Sequence, residues 1–212
     1  EGIVIAGAAL DCDDIPGWKA SPTEMTQIAV HQSPPLSEIL TMLMKRSQNL
    51  FAETMVHLLG WKRNGVGTFR GGREVVRERL AALGVDPQSY QYDDGSGLTR
   101  YDLVSPRILS KILTGMRKTP YGAIWRDTLP IGGVDGTLKN RMKGTPAAGN
   151  VRAKTGTLSS VRGLSGYVTT ADGEELVFSF LVNNHMRSSA DTEKVTDDVC
   201  AYLAGFRRAA AQ

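Results

Sequence analysis

Apolar and polar positions recur with a helical period through the first two thirds of this chain and with a strand period after it. Leu36, Ile39, Leu40, Leu43 and Met44 fall at i, i+3, i+4, i+7 and i+8, which predicts a helix with one buried face. Ser33 can cap that helix, and a proline of the pair Pro34-Pro35 suits its first turn. Leu50, Met55, Val56 and Leu59 begin a second stripe closed by Gly60, so Ser47-Gln48-Asn49 falls in the connection between two helices. Val75, Val76, Leu80 and Leu83 predict a third helix ending at Gly84, and Ser105-Pro106 opens a fourth with Leu109, Ile112, Leu113 and Met116 on its apolar face. Between those two lies Asp93-Asp94-Gly95-Ser96-Gly97-Leu98, where glycine permits tight turns.

From Val151 the texture changes. Residues 151–158, 162–170 and 175–183 read as three strands, joined by Ser159-Ser160 and by Ala171-Asp172-Gly173, whose Asp-Gly is a strong hairpin signal. Val195, Val199, Tyr202, Leu203 and Phe206 predict a closing helix that covers one face of the sheet. At the other end, Gly2-Ile3-Val4-Ile5-Ala6 reads as a short strand before a loop rich in Asp, Pro and Gly, and the tail from Arg207 to Gln212 is expected to fray. The pattern predicts an α/β chain of the mixed α+β kind, a helical cluster packed on an antiparallel sheet. Residues 1–212 are expected to form a single domain or most of one.

Composition narrows the partners. With 22% charged residues and a net charge of only +3, spread without runs of like sign, the chain has no electrostatic footprint for nucleic acid. No apolar stretch approaches the roughly 20 residues a bilayer crossing needs. Cys12 and Cys200 lie near opposite ends without Cys-x-x-Cys spacing, and two independent thiols are expected in preference to a disulfide. His31, His57 and His185 are isolated from one another, so neither a metal nor another cofactor is expected. The chain opens at Glu1 without a basic and apolar leader, which leaves export open.

Chemistry concentrates in two short motifs. Lys154-Thr155-Gly156-Thr157 sits at the start of a predicted strand, and Ser47-Gln48-Asn49 sits at a helix corner. An ammonium and hydroxyls on a strand can hold a carboxylate by charge-assisted hydrogen bonds, while Gly156 leaves room for a peptide beside the strand backbone. Ser47 can relay a proton and Asn49 can anchor an amide, although alone the two read equally well as a cap and turn pair. A serine acyltransferase site of this type also needs a Ser-x-x-Lys carrying the nucleophile, and the 212 residues hold none.

Four blocks in order carry a family resemblance: residues 44–53 (Met-Lys-Arg-Ser-Gln-Asn-Leu-Phe-Ala-Glu), 94–98 (Asp-Gly-Ser-Gly-Leu), 129–138 (Leu-Pro-Ile-Gly-Gly-Val-Asp-Gly-Thr-Leu) and 152–158 (Arg-Ala-Lys-Thr-Gly-Thr-Leu). Together they resemble D-alanyl-D-alanine carboxypeptidases of the penicillin-binding protein 4 type, over nearly the whole chain. The resemblance implies the C-terminal part of a penicillin-binding, transpeptidase-like domain in a periplasmic or exported serine peptidase. Its substrate would be a peptidoglycan stem peptide ending in D-Ala-D-Ala, its inhibitors β-lactams. It further implies that Ser47 assists proton transfer, that Asn49 holds the peptide amide, and that Lys154 and Thr155 bind the terminal carboxylate. The N–H of Thr157 would supply half of an oxyanion hole. Gln48 departs from the family, which usually has Asp there, and the missing Ser-x-x-Lys is expected upstream, beyond large inserted domains. Asp94 and Ser96 are expected in a rigid turn near the site, and Asp135 and Lys139 read equally as a surface helix start. Two further readings stand beside this one. A β-lactamase or esterase of the same fold would need a deacylating base such as a glutamate on a dedicated loop, and a non-catalytic peptidoglycan-binding module would keep only the carboxylate-holding strand.

Overall fold

The computed structural model describes residues 4, 6–19 and 28–208. The chain divides into two compact units, residues 1–34 and 35–212. Among the described residues the first is irregular apart from a 3-10 turn, Cys12–Asp14, prolonged by Trp18 N–H donating to Ile15 O at 3.1 Å. The strand expected over residues 2–6 lies largely outside the described residues.

The second unit runs α1 (Leu36–Arg46), α2 (Asn49–Asn64), α3 (Phe69–Ala82), α4 (Pro106–Arg117) and α5 (Gly122–Thr128), then β1 (Arg152–Leu158), β2 (Val161–Thr169), β3 (Glu175–Asn183) and α6 (Ser189–Gly205). The three strands form one antiparallel sheet in the order β1-β2-β3, and both hairpins close where expected. Ser160 and Gly173 take the positive φ those turns require, at 58° and 88°. β2, in the middle, is covered on both sides. One face meets α6 through Leu164 and Val168; the other meets α4 and α5 through Tyr167, whose hydroxyl donates to Leu113 O at 2.8 Å and accepts from Trp125 Nε1 at 3.1 Å. Burying each such Leu or Val contributes about 1.5–3 kcal/mol, so the sheet is the rigid platform of the unit.

Several expectations are corrected. Ser33 does not cap α1: the helix begins at Leu36, after Pro35, with no side-chain cap. A residue before proline is pushed out of the α region, so the Pro34-Pro35 pair delays the start until both are passed. The apolar face of α1 is only half-buried, with Leu36 53% exposed. α2 does not stop at Gly60 but continues to Asn64, with Gly65 as its left-handed cap. Gly60 serves instead as a crossing point, because a Cβ there would lie 2.4 Å from Thr68 O. α5 carries no clear stripe and was not expected.

The largest correction concerns α6, which faces the sheet with Thr192, Thr196, Cys200 and Ala204 and leaves Val195 and Tyr202 63% and 69% exposed. A helix lying close over a sheet selects small side chains, and a hydrophobic count overlooks them. Only Leu203 of the predicted stripe packs against the core. Cys200 is a buried free thiol whose pKa burial pushes up to about 12, and Cys12 is exposed. Arg208, expected in the fraying tail, is tied by its backbone N–H to Asp172 and by its guanidinium to both oxygens of Glu174 at 2.8 Å.

Candidate active site

α1 ends in a left-handed residue, Ser47, with φ 56° and ψ 55°. That conformation turns the chain sharply into α2, where Gln48 is the N-cap and Asn49 the first helical residue. The corner faces β1. Although 107 residues separate them, Lys154 Nζ donates to Ser47 Oγ at 2.7 Å, and also to Thr155 O at 3.0 Å. Burial pushes the pKa of Lys154 down from its ordinary value, since a desolvated ammonium favours its neutral form.

Strand parity assigns the remaining directions. Ala153 is fully buried in the α6-side core, so Thr155 and Thr157 share that face while Lys154 and Gly156 point to the helical cluster. Residues 130–132 pair with the start of β1, where Gly132 N–H donates to Val151 O and Ala153 N–H to Pro130 O, both at 2.9 Å. Beyond Ala153 that edge is open among the described residues. Because Ala153 sends its N–H outward, Thr155 and Thr157 do too, presenting unpaired backbone donors along the edge. Gly156 keeps the floor bare: an added Cβ would meet nothing nearer than 3.8 Å and would fill only free space.

These parts enclose a groove of about 540 Å³. Ser47, Asn49, Lys154, Thr155, Gly156 and Thr157, all the site residues expected from sequence, line it together with Gln48, Thr137 and the turn at residues 95–98. Asp94 organises that turn, accepting from Ser96 Oγ at 3.0 Å, Gly97 N–H at 2.5 Å and Thr99 N–H at 3.0 Å. Glu53, one helical turn beyond Asn49, accepts from Gly95 N–H at 2.7 Å and holds the turn against α2. Asp102 accepts from Asp93 N–H at 2.5 Å, its pKa raised chiefly by burial.

Sequence reasoning missed Thr137, whose hydroxyl accepts from Thr155 Oγ1 at 2.9 Å, and Lys45, which pairs with Asp135 at 2.7 Å. Both contacts join residues far apart in sequence, and the local signals were the blocks 44–53 and 129–138 themselves. Asp135 does precede a 3-10 turn, Gly136–Leu138, but its carboxylate is spent on Lys45 and Ile131 N–H rather than on a cap. Among the described residues, no group of three or more His, Cys, Asp and Glu gathers that could hold a metal ion.

The chain is similar to known proteins. The chain is 44% identical over 184 residues to a D-alanyl-D-alanine carboxypeptidase of Actinomadura sp. strain R39, covering 84% of this chain and 34% of that one. A D-alanyl-D-alanine carboxypeptidase of Haemophilus influenzae is 33% identical over 82% of this chain and 37% of its own length. The crystal structure of penicillin binding protein 4 from H. influenzae superimposes with a TM-score of 0.75 at 30% identity, over 83% of this chain and 41% of that one. A class A β-lactamase from Bacteroides cellulosilyticus, at 19% identity and a TM-score of 0.61, shares the fold alone. The chain thus spans about a third of the length of the curated relatives it matches. Residues 12–204 match the D-Ala-D-Ala carboxypeptidase 3 (S13) family, and the chain belongs to that family.

Proposed function

We propose that this chain is the substrate-holding part of a serine-type D-alanyl-D-alanine carboxypeptidase that trims peptidoglycan stem peptides through an acyl-enzyme. The observation that carries the reading is the Lys154–Ser47 hydrogen bond of 2.7 Å, set in a groove beside an open strand edge. An extended peptide adds to that edge as a further strand. Its terminal carboxylate meets the Lys154 charge and the hydroxyls of Thr155 and Thr157, and its amide meets the Asn49 carboxamide.

The nucleophilic serine and its lysine base come from a Ser-x-x-Lys outside these residues. The serine oxygen attacks the penultimate D-alanyl carbonyl, and the outward N–H of Thr157 stabilises the developing oxyanion. Collapse of the tetrahedral intermediate breaks the C–N bond. Ser47 passes a proton to the leaving D-alanine amine, and Lys154 replenishes it, the lowered pKa of Lys154 making that proton easier to give up. Water then adds to the ester carbonyl, its hydroxyl leaving with the acyl group and its proton returning to the serine, while the proton first taken by the lysine base restores Lys154 through Ser47. A β-lactam acylates the same serine, but its amine stays tethered, so the ester persists. Peptidoglycan as substrate places the reaction outside the cytoplasm, and no helix among the described residues is long and apolar enough to cross a membrane.

The test is release of the C-terminal residue by the protein carrying this chain and its nucleophile: D-alanine from a peptide ending in D-Ala-D-Ala, and D-alaninamide from its C-terminal amide. The amide is expected to react at least about 100-fold more slowly, because the charge partner of Lys154 is gone. Equal rates on both peptides, or no release from either, would overturn the reading. Rapid turnover of nitrocefin would favour a β-lactamase instead.

A further inference from the structure

The ion pair between Lys45 and Asp135 joins two elements that carry groove residues and takes no part in the chemistry described above. Lys45, in the last turn of α1, is 16% exposed, and its Nζ donates to Leu129 O and to Asp135 Oδ2, each at 2.7 Å. The other oxygen of Asp135 accepts from Ile131 N–H at 2.8 Å, bracing its own turn. The segment that carries Asp135 is also stitched to β1 through Pro130 and Gly132. It approaches α1 so closely that a Cβ at Gly136 would lie 2.7 Å from Lys45 O.

We propose that Lys45 and Asp135 are positioning residues that set the distance between the Ser47 corner and the Thr137–Thr155 hydroxyl pair. The inference rests on the acyl-transfer reading and deepens it. The two ends of the ion pair stand at matching places: Ser47 lies two residues beyond Lys45, and Thr137 two residues beyond Asp135. Thr137 accepts from the Thr155 hydroxyl and Ser47 accepts from Lys154, so each side of the groove is one short step from one end of the pair. An apolar contact of similar volume could hold α1 against the segment equally well, but it would tolerate sliding. A charged fork to Leu129 O and Asp135 allows one register. Relay chemistry needs that register, because a displacement of 1 Å costs about 100-fold in rate.

The experiment uses the protein carrying this chain and its nucleophile, with Lys45→Met, Asp135→Asn and the double substitution. Acylation by benzylpenicillin is resolved into a dissociation constant for the non-covalent complex and a first-order acylation rate constant. The measurements are made at a temperature where near-ultraviolet circular dichroism shows every variant folded. The rate constant is expected to fall about 10- to 100-fold in each single variant, with the dissociation constant changed less than about 3-fold. The double variant should be no slower than the worse single one, since both act through one contact. A lower melting temperature with an unchanged rate constant would make the pair a fold element only and overturn the proposal. If Lys45→Met fails to fold, Asp135→Asn, which keeps an acceptor for Ile131 N–H, carries the test alone. No acylation of the unaltered protein would instead sink the acyl-transfer reading, and this inference with it.

Discussion

Lys154 and Arg141 are both half-buried cations near β1, and the protein treats them in opposite ways. Arg141, on the α6 side, is answered in full: it meets Asp197 at 2.6 Å and Thr196 Oγ1 at 2.9 Å, and the side chains of Arg141 and Asp197 are 13% and 18% exposed. Lys154, on the groove side, is given a serine hydroxyl and a backbone carbonyl, and no ion pair to it is seen among the described residues. A cation with its charge partner built in is part of the fold. One left short of a partner in a lined groove fits the proposed role of receiving an anion from outside, which is the logic of perturbed groups at functional sites.

Removing each charge in turn sharpens the contrast. Lys154→Met is expected to cut acylation by benzylpenicillin about 1000-fold without lowering the melting temperature, since a desolvated ammonium gives way to an apolar chain of similar length. Arg141→Met should do the reverse: a loss of about 3–5 kcal/mol in denaturant unfolding from the stranded Asp197 carboxylate, with acylation per folded molecule almost unchanged. Gly95→Ala falls between them, because the new Cβ would sit 2.8 Å from Ala52 O and from Val56 Cγ2 and drive the turn away from α2. About 1–3 kcal/mol of stability should go, and slower acylation should come with it.

The smallest effect is one of pH. Lys154 sheds its proton in the folded chain at a lower pH than in the unfolded chain, where it titrates near 10.5. In the window between those two values the unfolded state binds more protons, so stability should rise with pH, and Lys154→Met should flatten that rise. Acylation should decline on the alkaline side before an ordinary lysine would titrate. A profile flat up to pH 10.5 would contradict the assigned role of the charge.

The strands and most helices were legible because local patterning and local packing agree there. Asp172-Gly173 made its hairpin, and Ser105 caps α4 by accepting from Ile108 N–H. The groove was legible for the same reason, since Lys154 to Thr157 and Ser47 to Asn49 are each compact runs that carry their chemistry in residue type. Periodicity failed where tertiary contact chose small side chains over large ones. Thr196 and Cys200 lie on the sheet while Val195 and Tyr202 face outward. It failed again for Lys45, Asp135 and Thr137, whose partners lie 90 and 18 residues away and repeat at no interval.

In the proposed function these residues hold and relay for a nucleophile that lies outside them. Peptide mapping of the benzylpenicillin adduct formed by the protein carrying this chain and its nucleophile tests it most directly. One adduct per protein is expected, on a serine outside residues 1–212, with an unmodified mass for the 212-residue chain treated alone. An adduct on Ser47, or on any serine within these residues, would contradict it.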